Sequence, residues 1–201
     1  MRPAQVVKRA GVIVVLVLAA ATTAVAAFAR AERAPNPARC GGQLWRMKTL
    51  SDSGRKAVAL APKSTTVGDI VERPYPRPVP RIRRTAFQRQ NWEVVAQITQ
   101  FRLDAGGLRL ILFDHGAYVN AVIPVPTCLT TSSRGRLAMT DAWNTFGTRC
   151  PKGTHDWQPL GAIAYVSGVG FWSQRDSERG AAPNGAELYP VTGFRIVAGC
   201  G

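Results

Sequence analysis

The middle of the chain contains three successive strand-like segments separated by turn residues. In residues 92–103 (WEVVAQITQFRL) apolar side chains recur at nearly every second position, a pattern typical of β-strands that bury one face. Residues 108–113 and 118–123 are shorter apolar segments of the same kind, and the sequences DAGG and DHGA between the three favour tight hairpin turns. We therefore predict an antiparallel meander of three strands, which Pro124 ends.

The pattern changes to a helical one after residue 130. Four large apolar residues fit one helical face moderately well: Leu137, Met139, Trp143 and Phe146. We predict a helix over residues 133–146, with Ser132 or Ser133 as its N-cap and Gly147 at its end.

Two further apolar segments, residues 160–172 and 185–197, are predicted to be long strands, and residues 40–50 a short one. Three strands, a helix and two strands is the order of an OB-fold. The predicted fold is therefore mostly β, a five-stranded antiparallel OB-like barrel with a helix between strands 3 and 4. It occupies residues 91–201 and follows an N-terminal extension, residues 32–90. A generic α+β sandwich would give much the same pattern.

The N-terminus has the parts of an export signal. Arg2, Lys8 and Arg9 precede residues 10–29, an uncharged stretch of 20 residues that ends in small side chains. Residues 1–31 are therefore predicted to be a secretory signal peptide. The alternative is an uncleaved anchor, since about 20 apolar residues can span a bilayer and would then contact the membrane. Either way the rest of the chain is predicted to lie outside the cytoplasm, secreted or anchored to the cytoplasmic membrane.

Four cysteines follow this segment, and an even number in an exported chain predicts two disulfides. We favour Cys128–Cys150, which closes a local loop, together with Cys40–Cys200, which ties the ends of the domain. The alternative is Cys40–Cys128 with Cys150–Cys200. The chain has no C-x-x-C motif, so we expect no metal site and no cofactor.

The chain is strongly basic, with 26 Lys and Arg against 12 Asp and Glu and a net charge of +14. Such a charge favours acidic partners, although scattered arginine can serve solubility alone. Residues 73–84 (RPYPRPVPRIRR) are predicted to run as extended polyproline II across the surface, because proline cannot donate to a sheet. This segment is either a basic arm that binds a polyanion or a stiff connector. The candidate ligand contacts are Arg77, Arg81, Arg83, Arg84, Arg102 and Arg109.

Several short motifs carry a resemblance to a known family. They are Cys40, Trp45, Lys48 and Thr49; Leu112 and Asp114; IPVPTC at 123–128; GVGF at 168–171; and Gly180, APNG at 182–185, Glu187, Leu188, Pro190 and Val191. On these motifs residues 40–197 resemble a family of secreted bacterial proteins with a closing segment of the form GVGFxD…GxAPNGxELxPV. The resemblance implies an exported OB-like barrel, and it implies no proven reaction.

The chain departs from that family at several polar positions. Asp176 and Tyr189 stand where members often carry histidine, Ser173 replaces an aspartate, Arg109 a histidine and Val122 a glutamate. If those residues form a site in relatives, most of it is missing here, which weakens an enzymatic interpretation.

A hydrolase is the alternative function. A nuclease-like OB enzyme acting on phosphodiesters needs carboxylates around a divalent cation and cationic groups on the phosphate. The weak candidates are Asp114, Asp176 and Glu187, with Arg109 and Arg175 as phosphate clamps. This hypothesis requires the three carboxylates to converge.

The favoured function is an exported binding or scaffold domain without enzymatic activity, contacting an acidic polymer or a cell-envelope protein. A pure scaffold would show an exposed apolar patch of several hundred Å². Seven aromatic residues are either core or a base-stacking platform, and alternation favours core for most. They are Trp92, Phe101, Phe113, Tyr118, Phe171, Trp172 and Tyr189.

Overall fold

The computed structural model describes residues 36–175 and 177–200, and this part of the chain is mostly β. Its α-helices are α1 (Trp45–Lys48), α2 (Val67–Val71) and α3 (Arg136–Arg149). The predicted signal or anchor segment, residues 1–31, lies outside the described residues. Within the described ranges no helix combines the length and the apolar character needed to cross a bilayer.

Six strands form one mixed sheet. They are β1 (Ala59–Ser64), β2 (Gln90–Asp104), β3 (Gly107–Asp114), β4 (Ala117–Pro124), β5 (Gln158–Trp172) and β6 (Ala186–Ala198). The pairing order is β1-β2-β3-β4-β6-β5, and β5 also pairs with β2, so the five longer strands form a ring of pairings with β1 at its edge. The mostly β class and the helix after the meander are confirmed. The prediction of five wholly antiparallel strands is wrong.

The two parallel pairs explain why the sheet is mixed. β1 runs parallel to β2 because α2 and an irregular segment carry the chain back before β2 begins. β4 and β6 are parallel because α3 and β5 lie between them in the chain. β1 contains Pro62 and is almost wholly exposed, so it has no alternating pattern from which it could have been predicted.

Helix α3 begins and ends three residues later than predicted. The residue before it is Gly135, which has a left-handed backbone with φ of 73°. The hydroxyl of Ser133 accepts from the backbone N–H of Thr130 at 3.1 Å and so caps the preceding turn instead of the helix. At the other end Gly147 is tolerated within the last turn, at a cost of about 1 kcal/mol relative to alanine.

The segment 40–50 is a helical turn, and the predicted strand there is wrong. Gly41 and Gly42 adopt left-handed backbones with φ of 83° and 82°, a conformation that breaks a strand. α1 follows, and it buries Met47 while Leu50 is buried just after it. A spacing of three residues between two buried side chains suits a helical turn better than a strand.

The apolar core lies on one face of the sheet, and a smaller cluster lies on the other. In the core Phe146 of α3 packs between Phe101 and Phe194, with ring centroids 5.2 and 5.7 Å away. On the opposite face Met47 of α1 packs with Val122, Phe171 and Tyr189. Residues 40–50 therefore cover the outer face of β4 and β6.

The disulfides are Cys40–Cys128 and Cys150–Cys200, with Cα separations of 5.6 and 4.6 Å. The favoured pairing is wrong and the alternative is observed. Helix α3 adds about 20 Å of rigid length between Cys128 and Cys150, so these two cysteines need not be neighbours in space although they are close in sequence. Two disulfides place this domain in an oxidising, extracytoplasmic environment.

Candidate functional site

The arginines predicted to bind a ligand fall into two groups. Arg77, Arg81 and Arg84 are exposed, whereas Arg83, Arg102 and Arg109 bond to other groups of the protein. The first group presents its charge to solvent, and the second links separate parts of the fold.

Arg83 is only 4% exposed and connects residues 73–84 to two other segments. Its Nη2 donates to the carbonyl of Met47 at 2.6 Å, and its Nη1 donates to the carbonyl of Gln88 at 3.0 Å. Its Nε donates to Asp52 Oδ1 at 3.2 Å. This arginine therefore fixes the Arg-rich segment against α1 and the start of β2.

Arg109 is the centre of an ion-pair network on the outer face of the β2–β3 hairpin. Its Nε lies 2.8 Å from Asp104 Oδ2 and 3.5 Å from Glu178 Oε1, and its Nη1 lies 3.4 Å from Glu187 Oε1. Arg102, opposite Arg109 in the register, donates to Glu178 at 2.7 Å. Burial alone would lower the pKa of Arg109, but the three carboxylates outweigh burial and raise it.

Lys48 lies beside this network, and its amine lies near two aromatic rings. Its Nζ is 5.3 Å from the ring centroid of Phe171 and 5.1 Å from that of Tyr189, and it donates to the carbonyl of Gly41 at 2.9 Å. Desolvation by burial lowers the pKa of Lys48, and the attraction of Glu187 offsets only part of this effect. The amine is thus held in a setting that disfavours its charge.

Two buried polar atoms near Lys48 lack a hydrogen-bond partner among the described residues. They are the hydroxyl of Tyr189, whose residue is 1% exposed, and Oε2 of Glu187. Burial raises the pKa of Tyr189, so this phenol stays neutral. Unpaired buried polar atoms cost stability, so these two groups destabilise the fold unless a ligand or solvent satisfies them.

An open cleft of about 840 Å³ lies above Lys48. Three stretches of chain form it, within residues 41–48, 75–81 and 171–175. Its charged lining residues are Lys48, Arg81 and Arg175, and none of the described residues that line it is acidic. We call it the cationic cleft.

Hydrogen bonding and stacking hold the two arginines of the cationic cleft. Arg81 Nη2 donates to Gln43 Oε1 at 2.7 Å. The guanidinium carbon of Arg175 lies 4.3 Å from the ring centroid of Tyr75, within cation–π range. Both contacts leave guanidinium N–H groups available for an acidic group of a ligand.

Asn184 anchors the start of the Arg-rich segment from the opposite side. Its Nδ2 donates to the carbonyls of Ile70 and Arg73, both at 2.9 Å, and its Oδ1 accepts from the N–H of Ala186 at 3.1 Å. Gly185 has φ of 67°, a left-handed backbone that suits the turn before the last strand. The APNG motif therefore positions one wall of the cationic cleft.

The core interpretation of the aromatic residues is confirmed for most of them. Trp92, Phe101, Phe171, Trp172 and Tyr189 are at most 6% exposed, while Phe113 and Tyr118 contact each other at the surface. Trp172, which lines the cationic cleft, donates a hydrogen bond from Nε1 to the hydroxyl of Thr85 at 3.0 Å. Phe171 and Trp172 therefore line the cleft with little exposed ring surface.

The structure separates two of the three carboxylates proposed for hydrolysis. Asp114 pairs with Ala117, whereas Glu187 pairs with Asn120. Ala117 and Asn120 are three positions apart in β4, so the two carboxylates lie on opposite faces of the sheet. Asp114 instead lies 2.6 Å from the ring of the exposed His115.

Asp176 lies outside the described residues, and within those residues no group of three or more His, Cys, Asp or Glu could hold a metal ion. Arg175 lines the cationic cleft, while Arg109 belongs to the ion-pair network. The two predicted phosphate clamps therefore serve different parts of the structure.

Sequence reasoning missed Lys48, Gln43 and Tyr75 as parts of a site. Lys48 is a motif position of the N-terminal segment, but nothing in the local sequence indicates that it lines one cleft with Arg81 and Arg175. These residues come from three remote stretches of chain, and tertiary packing alone brings them together.

No known family model matches this sequence, and no curated protein is significantly similar to it. The function must therefore be inferred from the geometry of the cationic cleft and the charges around it.

Proposed function

We propose that this protein is an exported, non-enzymatic domain that binds an acidic polymer in the cationic cleft. One observation carries the proposal: Lys48, Arg81 and Arg175 line the same concavity, with no acidic residue among its described lining residues. The rest of the proposal follows from the chemistry of these groups.

Charges in a concave site act more strongly than charges on an open surface. Low-dielectric walls focus the field of the cleft, and a net charge of +14 adds long-range attraction for anions. Guanidinium groups can bind a carboxylate or phosphate through two parallel hydrogen bonds. Two arginines and an amine thus suit successive acidic groups of one chain.

The low exposure of the aromatic rings in the cleft favours an acidic glycan over single-stranded nucleic acid as the ligand. Proteins that bind single strands stack bases on exposed aromatic faces. Phe171 and Trp172 are each 2% exposed, and the ring of Tyr75 already carries Arg175. The cleft therefore offers charge and amide groups such as Gln43 more readily than stacking surfaces.

The fold and the predicted location are compatible with this role. We propose that the ring of five strands, with α3 between β4 and β5, is a variant of the OB-fold, which binds oligosaccharides and oligonucleotides in other proteins. Membership of the secreted family that the closing motif resembles is part of the same proposal. Residues 10–29 would either be removed on export or hold the domain at the membrane.

Binding to labelled polymers across a salt series tests the proposal. The probes are an oligomer of galacturonic acid and a single-stranded oligonucleotide of equal charge, each titrated with the oxidised protein. Two or three ion contacts predict a slope of log affinity against log salt of about −1.5 to −2. We expect Arg81→Ala and Arg175→Ala each to weaken glycan binding about tenfold, since charged hydrogen bonds contribute about 1.5–3 kcal/mol.

Arg136→Ala is the matched control, because Arg136 is an exposed arginine at the start of α3 and does not line the cleft. Equal losses of affinity in the control and the cleft variants would show that binding depends on the net charge of the protein and not on the cleft. Stronger binding of the oligonucleotide would reverse the choice of polymer.

A protein scaffold is the second candidate, and three exposed apolar residues favour it. Val95, Ile163 and Val197 lie on β2, β5 and β6 and are 47%, 41% and 53% exposed. If neither polymer binds at low salt, cross-linking of envelope proteins that is lost in Ile163→Ser would support this alternative. The hydrolase hypothesis draws no support from Asp114 and Glu187, which face opposite ways.

A further inference from the structure

We propose that Lys48 is a reactive amine that forms an imine with a small anionic aldehyde or ketone bound in the cationic cleft. The inference rests on the proposed anion-binding role of that cleft and goes beyond it, because it assigns covalent chemistry to one residue.

The position of Lys48 carries the inference. Lys48 lines a cleft of about 840 Å³, within the range of small-molecule sites, and its amine lies about 5 Å from the ring centroids of Phe171 and Tyr189. Among the described residues Lys48 Nζ donates a hydrogen bond to Gly41 O at 2.9 Å. A neutral amine has two N–H groups and a lone pair, so that bond leaves the lone pair available.

The surroundings also favour the neutral amine that the reaction needs. Burial lowers the pKa of Lys48 most strongly, and the positive charge of Arg109 acts in the same direction. Three carboxylates oppose these effects without outweighing them: Glu187, Asp104 and Glu178. Desolvation beside another cation is a known means of activating a lysine nucleophile. Each unit by which the pKa falls raises the neutral fraction near pH 7 about tenfold.

Arg81 and Arg175 supply the second half of the site. They line the same cleft as Lys48, so a ligand that carries both a carbonyl and an acidic group can meet the amine and a guanidinium together. Holding the acidic group raises the local concentration of the carbonyl at the amine. This selects anionic carbonyl compounds over neutral ones.

The reaction is a condensation without any redox change. The lone pair of Lys48 Nζ forms a bond to the carbonyl carbon as the C=O π electrons move onto oxygen, and one of the two N–H protons is transferred to that oxygen. The resulting carbinolamine loses that oxygen as water while the nitrogen gives up its proton, leaving a C=N bond. One amine and one carbonyl compound thus give one imine and one water.

Pyridoxal 5′-phosphate, an anionic aldehyde, tests the inference. The oxidised protein is treated with the aldehyde at neutral pH and then with borohydride, which fixes the imine, and the modified lysines are located by peptide mass spectrometry. Lys56, Lys63 and Lys152 serve as comparison lysines in the same sample. We expect Lys48 to react about tenfold faster than these three, because the two arginines hold the phosphate of the aldehyde beside its amine.

Two arginine variants and an uncharged aldehyde test whether Lys48 reacts because of the arginines in the cleft or only because its amine is accessible. Arg81→Ala and Arg175→Ala are expected to slow modification of Lys48 and leave Lys152 unchanged, and Lys48→Arg is the blank. Propionaldehyde, which has no charge, is expected to show no preference that depends on the two arginines.

Equal modification rates at all four lysines would overturn the inference. So would a rate at Lys48 that the arginine variants do not change. Failure here is distinct from failure of the proposed function. An unreactive Lys48 in a protein that still binds the glycan overturns the imine alone, whereas a reactive Lys48 without glycan binding overturns the polymer proposal alone.

Discussion

Arg109 Nε lies 2.8 Å from Asp104 Oδ2, so the end of β2 and the third residue of β3 are joined across the hairpin between them. The other oxygen of Asp104 accepts from the N–H groups of Gly106 and Gly107, at 2.7 and 3.1 Å. One carboxylate therefore shapes the turn and orients the arginine that holds the ion-pair network. An aspartate at the first position of a turn commonly forms such bonds, but its partnership with Arg109 adds a tertiary role.

Removing Arg109 is expected to destabilise the protein by about 3–5 kcal/mol, the range for breaking a buried ion pair from one side. Arg109→Met leaves Asp104, Glu178 and Glu187 facing each other without their shared cation. Urea unfolding followed by tryptophan fluorescence measures the loss. Arg102→Met is the control, and because the Arg102 side chain is 29% exposed we expect it to cost about 1 kcal/mol or less. Similar losses in both variants would show that Arg109 is not the centre of the network.

Arg83 and Arg84 are neighbours in sequence with opposite roles. Arg83→Ala leaves the carbonyls of Met47 and Gln88 without a buried donor, and we expect a loss of about 3 kcal/mol or more in the free energy of unfolding. Arg84→Ala changes an exposed side chain and is expected to stay within about 0.5 kcal/mol. Thermal or urea unfolding of both variants tests this contrast, and a loss for Arg84 as large as that for Arg83 would contradict it.

Much of the sheet could be predicted because one-sided burial leaves a period of two in the sequence. The strand predicted over residues 160–172 is observed as Gln158–Trp172, and the one predicted over residues 185–197 as Ala186–Ala198. These strands bury large apolar side chains against the core, so the pattern is strong. β1 has no such pattern, since it is exposed and pairs through its backbone.

The candidate site could not be predicted, because its parts acquire their roles only through packing. Arg83 and Arg81 lie two positions apart in a segment that reads as uniformly basic and solvated, yet one is buried and the other lines the cationic cleft. Similarly, the disulfide pairing depends on how far α3 carries the chain, which cysteine spacing does not reveal. Local patterns report burial, whereas sites depend on which remote segments meet.

The two disulfides are expected to differ in their effect on ligand binding. Cys40–Cys128 fixes the residue before Gly41 and so holds the stretch that carries Lys48, whereas Cys150–Cys200 ties the end of α3 to the C-terminal end of the domain. With sequence separations of 88 and 50, the chain-entropy model gives about 4–5 kcal/mol for each.

We therefore expect C40S/C128S and C150S/C200S to lose similar stability. Only C40S/C128S should weaken glycan binding markedly under conditions where both variants remain folded. Titration of both with the galacturonic acid oligomer tests this, and equal weakening would show that Cys40–Cys128 has no special role at the cleft.

Tyr189 should give the protein a stability that falls at alkaline pH. Its pKa is raised above the ordinary value of 10.0, first by burial and then by the negative charge of Asp104. The folded state therefore keeps the phenol proton after the unfolded state has lost it. The resulting stabilisation is complete below pH 10 and declines above it by about 1.4 kcal/mol per pH unit until the folded pKa is reached.

Tyr189→Phe removes the titrating hydroxyl and keeps the ring against Phe171 and Lys48. At pH 7 we expect the variant to be as stable as the natural protein or slightly more stable, because the hydroxyl has no hydrogen-bond partner among the described residues. Between pH 10 and 11 its free energy of unfolding should fall by about 1 kcal/mol less than that of the natural protein, because the phenol of the unfolded chain is already half ionised at about pH 10. Tyr118→Phe, at a tyrosine that is 44% exposed, is the control and should leave the slope unchanged. Urea unfolding at pH 7, 10 and 11 measures the difference, and parallel curves for the natural protein and Tyr189→Phe would show that the buried phenol does not set the alkaline limit.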